Sequence, residues 1–163
     1  MFDEPDVFQR ALVDVSAHRK RKVLLYRFAS DQRLSLLAGM LLDDLLHERG
    51  LRERDMSYVV GVHGKPSFSD MPNVHFSLAH GGRMALAALA DAPVGVDVEC
   101  LDSFPYDLAD PYVWTEMESV GKALGCGIAD YLDRDVYVRP PDFEIRHIRI
   151  DDNHLACIAQ RVQ

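Results

Sequence analysis

The segment Pro93-Val94-Gly95-Val96-Asp97-Val98-Glu99 constrains this chain more than any other. Its valines alternate with small or acidic residues, the period-two pattern of a β-strand. A strand here sends Val94, Val96 and Val98 into a core and sets Asp97 and Glu99 side by side on the other face. Two neighbouring carboxylates repel each other unless a cation lies between them. Hard oxygen ligands of this kind suit Mg²⁺, which takes one or two carboxylates and fills its shell with phosphates and water. The same alternation also describes a plain amphipathic strand with a solvated acidic face.

A second segment, Trp114-Thr115-Glu116-Met117-Glu118-Ser119-Val120-Gly121-Lys122, reads as a helix closed by Gly125. Glu118 and Lys122 are four residues apart and share a helix face. A carboxylate and an ammonium so placed could serve as metal ligand or base and as a phosphate-charge neutraliser. They also fit an ordinary surface ion pair, and Thr115 with Glu118 has the spacing of a capping box.

The third segment is Phe76-Ser77-Leu78-Ala79-His80-Gly81-Gly82. Val74, Phe76 and Leu78 alternate as in a half-buried strand, and two glycines end it. Amides near Gly81 and Gly82 could approach a phosphate closely, or the glycines could simply make a hairpin turn beside an incidental histidine. Lys65 falls in a loop, Gly61 to Pro66.

Around these segments, residues 8–28 read as one helix. Ser30 and Asp31 are cap candidates for a second helix, in which Leu34, Leu37, Leu41 and Leu45 recur at helical spacing and Gly50 is the stop. Met84–Ala90 and Val94–Glu99 are short apolar runs joined at Asp91-Ala92-Pro93, which favours a hairpin between them. Residues 101–113 form a connector. Phe143 to Ile150 is a strand with a register irregularity, Asp151-Asp152-Asn153 is a turn, and Leu155–Ala159 is the last strand. Helices mixed with largely antiparallel strands define the α+β class.

The net charge is −8, which argues against nonspecific nucleic-acid binding. Yet His18, Arg19, Lys20, Arg21, Lys22, Arg27 and Arg33 crowd one early segment opposed only by Asp31, a pattern suited to a small polyanion or to a solvated helix face. The three cysteines form no CxxC pair, and no apolar run is long enough to span a membrane. The acidic start, with Asp3, Glu4 and Asp6, does not suit a secretory signal. A cytoplasmic protein without a membrane partner is expected.

Taken in order, Gly64-Lys65-Pro66, Phe76-Ser77-Leu78-Ala79-His80, Pro93 to Glu99, and Trp114-Thr115 with Glu118 and Lys122 resemble the motif series of the Sfp-like 4′-phosphopantetheinyl transferases. That series reads GKP, F-N-x-S-H-S, P-V-G-x-D-x-E and W-[TS]-x-K-E-[AS]-x-x-K. The resemblance implies a fold built as a pseudo-dimer of two α+β halves. Here these would be residues 1–92 and a shortened 93–163, forming one compact unit. It implies transfer of the phosphopantetheine arm of coenzyme A to a serine of an acyl or peptidyl carrier protein, releasing adenosine 3′,5′-bisphosphate. Asp97, Glu99 and Glu118 would hold Mg²⁺. Glu118, or a metal-bound water, would help deprotonate the serine, and Lys122 would neutralise or protonate the leaving phosphate. His80 and Lys65 would hold coenzyme A phosphates, with Lys20, Lys22 and Arg27 at the 3′-phosphate. The chain departs from the series in three ways. Only Cys100 to Val113 separate the acidic strand from the tryptophan, Met117 replaces a lysine, and Ala79 and Gly81 replace hydroxyl residues. A relative that binds coenzyme A or a carrier without transfer is the alternative these departures motivate.

Overall fold

The computed structural model describes residues 5–107, 110–126 and 137–162. Two short helices, α1 (Pro5–Asp14) and α2 (Ala17–Leu24), stand where one helix over 8–28 is expected. The break is chemical. Ser16 leaves the helix, its hydroxyl accepts from the Arg19 N–H at 3.0 Å, and its own N–H donates to buried Glu53 at 2.7 Å. An N-cap with a tertiary partner outcompetes two helical hydrogen bonds.

The long helix α3 (Ala29–His47) begins before Ser30, with no side-chain cap. Its end follows expectation, with Gly50 in the left-handed region at φ 72°. The fully buried face is not the Leu34, Leu37, Leu41 and Leu45 stripe but its neighbour, Ser35, Leu36, Ala38, Gly39, Leu42 and Leu46. Small residues on that face allow close approach, and the Arg19 side chain lies directly over Gly39.

Strands β1 (Tyr58–Val60) and β2 (Pro66–Phe68) form a small hairpin across the Gly61–Pro66 loop. Strands β3 (His75–Gly81) and β4 (Met84–Ala90) form a longer one, turned at Gly82 and Arg83. Strand β5 (Val94–Cys100) is therefore not the hairpin partner of β4. It pairs antiparallel with β7 (His154–Arg161), which also pairs with β6 (Phe143–Asp151), giving the order β5-β7-β6. The expected irregularity appears as a register shift between Arg149 and Asp151.

Helix α4 (Pro111–Leu124) starts at Asp110, whose carboxylate accepts from the Tyr112 and Val113 N–H groups, and ends at left-handed Gly125. No capping box forms: Thr115 lies inside the helix and donates to the Pro111 carbonyl.

The packing stacks these elements in sequence. Leu42 and Leu46 of α3 meet Phe76, with Leu78 and Leu89, on one side of the β3–β4 hairpin. On its other side Ala79 packs with Val96, Val98 and Ala156. Beyond β5 and β7, Met117, Val120 and Ala123 of α4 close a last cluster with Phe143 and Ala159. Among the described residues no helix is long and apolar enough to cross a membrane.

Candidate active site

Strand β5 is buried on both faces, so its acids do not face solvent as a plain amphipathic strand would have them. Val96 and Val98 point to β3, while Gly95, Asp97 and Glu99 point to α4. The helix comes this close because position 95 lacks a Cβ: one added there would overlap the Ser119 carbonyl. The Ser119 hydroxyl, donating to the Cys157 carbonyl at 2.9 Å, ties the same turn to β7.

Helix α4 crosses β5 antiparallel and presents Trp114, Glu118 and Lys122, successive i,i+4 neighbours on one face. The indole N–H of Trp114 donates to Glu99 Oε1 at 3.0 Å. Lys122 Nζ lies 2.6 Å from Asp97 Oδ1 and 4.0 Å from Glu118 Oε2. The Asp97 side chain is only 8% exposed, and its second oxygen is buried without a hydrogen-bond partner. Burial raises the Glu99 carboxyl above its ordinary value, and the Asp97 charge adds to this against the opposing Trp114 hydrogen bond and Lys122. Burial likewise raises Glu118, with Lys122 opposing and Asp97 adding. Lys122 thus acts on all three carboxylates. Among the described residues no three His, Cys, Asp or Glu groups already close on a common metal position. Lys122 and Trp114 bond one oxygen each of Asp97 and Glu99.

His80 ends β3 on the rim of this group. Its Nε2 shares a hydrogen bond with the Tyr26 hydroxyl at 3.2 Å, the rings meeting edge-on with centroids 5.3 Å apart. Burial lowers its pKa; Asp31 opposes, while Lys122, Lys22 and Arg19 add to the lowering. Lys22 Nζ lies 6.0 Å over the Tyr26 ring. The basic segment, His80 and Lys122 therefore share one electrostatic neighbourhood.

Three candidate residues stand differently. Lys65 reaches the C-terminal end of α4, where its ammonium donates to the Ala123 carbonyl at 2.9 Å and the Val94 carbonyl at 3.4 Å. Burial lowers its pKa to about 8. Lys20 is exposed on α2, and the exposed Arg27 guanidinium sits 5.4 Å over the Phe28 ring. Arg19 of the same basic run is buried.

The replaced hydroxyl positions also have a structural reason. Ala79 is buried against Val96 and Val98, and a Cβ on Gly81 would overlap the Val98 carbonyl. Both face β5. Ser77, in the same row, keeps its hydroxyl and accepts from the Val96 N–H at 3.1 Å. Sequence reasoning missed two partners, Tyr26 and Trp114 as the Glu99 donor. The alternation of α4 residues at i, i+4 and i+8 held a signal for the second; nothing local marks Tyr26. A surface cavity of about 480 Å³ is lined by Leu101, Tyr106, Asp110, Pro111, Tyr112 and Arg149, at the start of α4 rather than over the carboxylates.

The α+β fold thus sets three carboxylates and a lysine between one strand and one helix, beside a histidine and a basic corner. Comparison with known proteins finds similar proteins of one kind. A 4′-phosphopantetheinyl transferase named ffp from Bacillus subtilis is 28% identical over 104 residues, 63% of this chain and 46% of that protein. One named psf-1 from Bacillus pumilus is 34% identical over 96 residues, 58% of this chain and 40% of that protein. Sfp from Bacillus subtilis (strain 168) is 22% identical over 173 aligned positions, covering 91% of this chain and 77% of Sfp. The match spans under half the length of the first two relatives. No family model matches the chain. In all, five proteins named as 4′-phosphopantetheinyl transferases are similar to this chain.

Proposed function

We propose that the chain transfers the 4′-phosphopantetheine arm of coenzyme A to a serine of an acyl or peptidyl carrier protein, with Mg²⁺. The observation that carries this is the Asp97–Lys122 pair set beside Glu99 and Glu118, with one Asp97 oxygen buried and unpartnered. A buried carboxylate oxygen without a partner costs about 1–3 kcal/mol and calls for a cation or donor. Asp97, Glu99 and Glu118 suit Mg²⁺ by donor type, since that ion accepts a few carboxylates and takes its remaining ligands from phosphate and water. Bound there, Mg²⁺ would neutralise the pyrophosphate and align it.

The side chains do the rest. Glu118, raised by burial, is a stronger proton acceptor than an exposed carboxylate and takes the proton of the carrier serine. The serine oxygen bonds to the β-phosphorus of coenzyme A, and the bond from that phosphorus to the bridging oxygen breaks. Adenosine 3′,5′-bisphosphate leaves with that oxygen, its new charge met by Lys122. His80, held by Tyr26, and Lys22 face the phosphates, with Lys20 and Arg27 as further cations of the same corner. Lys65 contributes by anchoring the end of α4.

Intact mass spectrometry of apo carriers incubated with the protein, coenzyme A and Mg²⁺ tests the reading. A gain of one phosphopantetheine that disappears with chelator is expected. Metal-dependent coenzyme A binding with no gain on any carrier would replace transferase by binder.

A further inference from the structure

The corner between α2 and α3 carries an apolar cluster that the fold does not cover. Leu24, Leu25 and Phe28 are 53%, 81% and 60% exposed. They sit inside the most cationic stretch of the chain: no Asp or Glu falls between residues 15 and 30, and Arg21 and Arg27 are exposed beside them. Residue 26 of the same stretch turns the other way, and its hydroxyl reaches His80. The exposed cluster and the candidate active site are thus two sides of one short segment.

We propose that this corner docks the acceptor carrier protein, an acidic partner whose apolar residues are flanked by carboxylates; the proposal rests on the transferase reading. The carrier must bring its serine to Lys122 and Glu118, so it must touch the rim, and the rim at Tyr26 carries these side chains. Charge selects the partner. The protein is acidic overall, at −8, so an acidic macromolecule is repelled by most of its surface and steered to the one cationic corner. Aromatic and arginine side chains pack there as in binding hot spots, with the Arg27 guanidinium over Phe28. A membrane surface is the weaker occupant. Helix α2 has eight residues and is polar apart from Ala17, Val23 and Leu24, too little apolar area to hold to lipid.

The test uses the full chain with two probes, the apo acyl carrier protein of fatty-acid synthesis and an apo peptidyl carrier domain, each dye-labelled for anisotropy and unlabelled for transfer. Leu25→Glu and Phe28→Ser are compared with the parent, and circular dichroism verifies folding. Expected are a rise of roughly tenfold or more in carrier Kd and KM, unchanged coenzyme A affinity by calorimetry, and parent binding that weakens with salt. Parent binding that both variants retain would overturn the docking site, as would parallel loss of coenzyme A affinity. So would binding to phosphatidylglycerol vesicles, or self-association in sedimentation, that Leu25→Glu removes while carrier binding stays intact. Binding weakened by the variants but no transfer by the parent supports the surface and sinks the transferase reading. No binding of either carrier by the parent overturns the docking proposal.

Discussion

Lys122 Nζ lies 2.6 Å from Asp97 Oδ1, yet the two side chains differ in their access to water, 33% exposed for the lysine and 8% for the aspartate. The pair is therefore asymmetric. Without its partner, Lys122 can turn to solvent, whereas Asp97 stays buried with a bare charge. Lys122→Met should cost about 3 kcal/mol at neutral pH, and Asp97→Asn clearly less. Chemical denaturation of the two variants checks the order, and Mg²⁺ should restore more stability to Lys122→Met than to Asp97→Asn. Equal losses would mean that the pair is not a buried-anion site.

Gly95→Ala is expected to open the interface between β5 and α4. The added Cβ meets the Ser119 carbonyl and the Ala123 amide, both backbone, so the helix itself must shift. Overpacking against a rigid element costs about 3 kcal/mol or more. Thermal melting measures it, and coenzyme A binding should fall with it, because the same shift separates Lys122 from Asp97.

Trp114 is the single tryptophan of the chain, and its N–H is bonded to Glu99. Its emission should change when Mg²⁺ and coenzyme A are added, and the change should vanish in Glu99→Ala. A fluorescence titration shows this directly. An undiminished response in Glu99→Ala would place the cation elsewhere.

Burial holds Glu118 and Glu99 protonated to a higher pH than ordinary carboxylates. The acid limb of kcat/KM should therefore lie above about 4.3, the usual glutamate value. For stability the sign is the reverse of a paired acid. Where the native state holds a proton that the unfolded chain has lost, stability falls as pH rises, from the unfolded pKa through the raised folded one. Glu118→Gln should accordingly be neutral or stabilising above that window in metal-free buffer. A destabilised Glu118→Gln would mean that Lys122 outweighs burial.

Lys65 titrates near 8 against a usual value near 10.5. Its buried ammonium costs stability below pH 8. Between about 8 and 10.5 the native state has released a proton that the unfolded chain keeps, so stability rises with pH. The rise should be a fraction of the maximal ~1.4 kcal/mol per pH unit, because the group is partly open to water. Lys65→Met should lack it, as parallel denaturation series would show.

Much of this was legible in local pattern. The period-two valines of β5, the left-handed glycine after α4, the irregularity in β6 and the carboxylates themselves all depend on neighbours a few residues away. The failures were equally physical. One helix was expected over 8–28 because nothing local shows that Glu53, far along the chain, captures the Ser16 amide and hydroxyl. A hairpin between β4 and β5 was expected from a short turn, but strand partners are chosen by which faces must be buried. The β3–β4 hairpin fills the valine side of β5, and its edge goes to β7. The leucines of α3 marked a helix correctly and the wrong face, since close packing favoured the small residues beside them.

The residues by themselves determined the chemistry on offer: three acids, a lysine, a histidine and a run of cations, on elements whose types follow from periodicity. Only the tertiary structure decided that α4 crosses β5 antiparallel over a glycine. That crossing brings Lys122 onto an aspartate 25 residues earlier and Trp114 onto Glu99. Periodicity assigns a side chain to a face, but which group it meets depends on long-range packing that a local pattern does not encode.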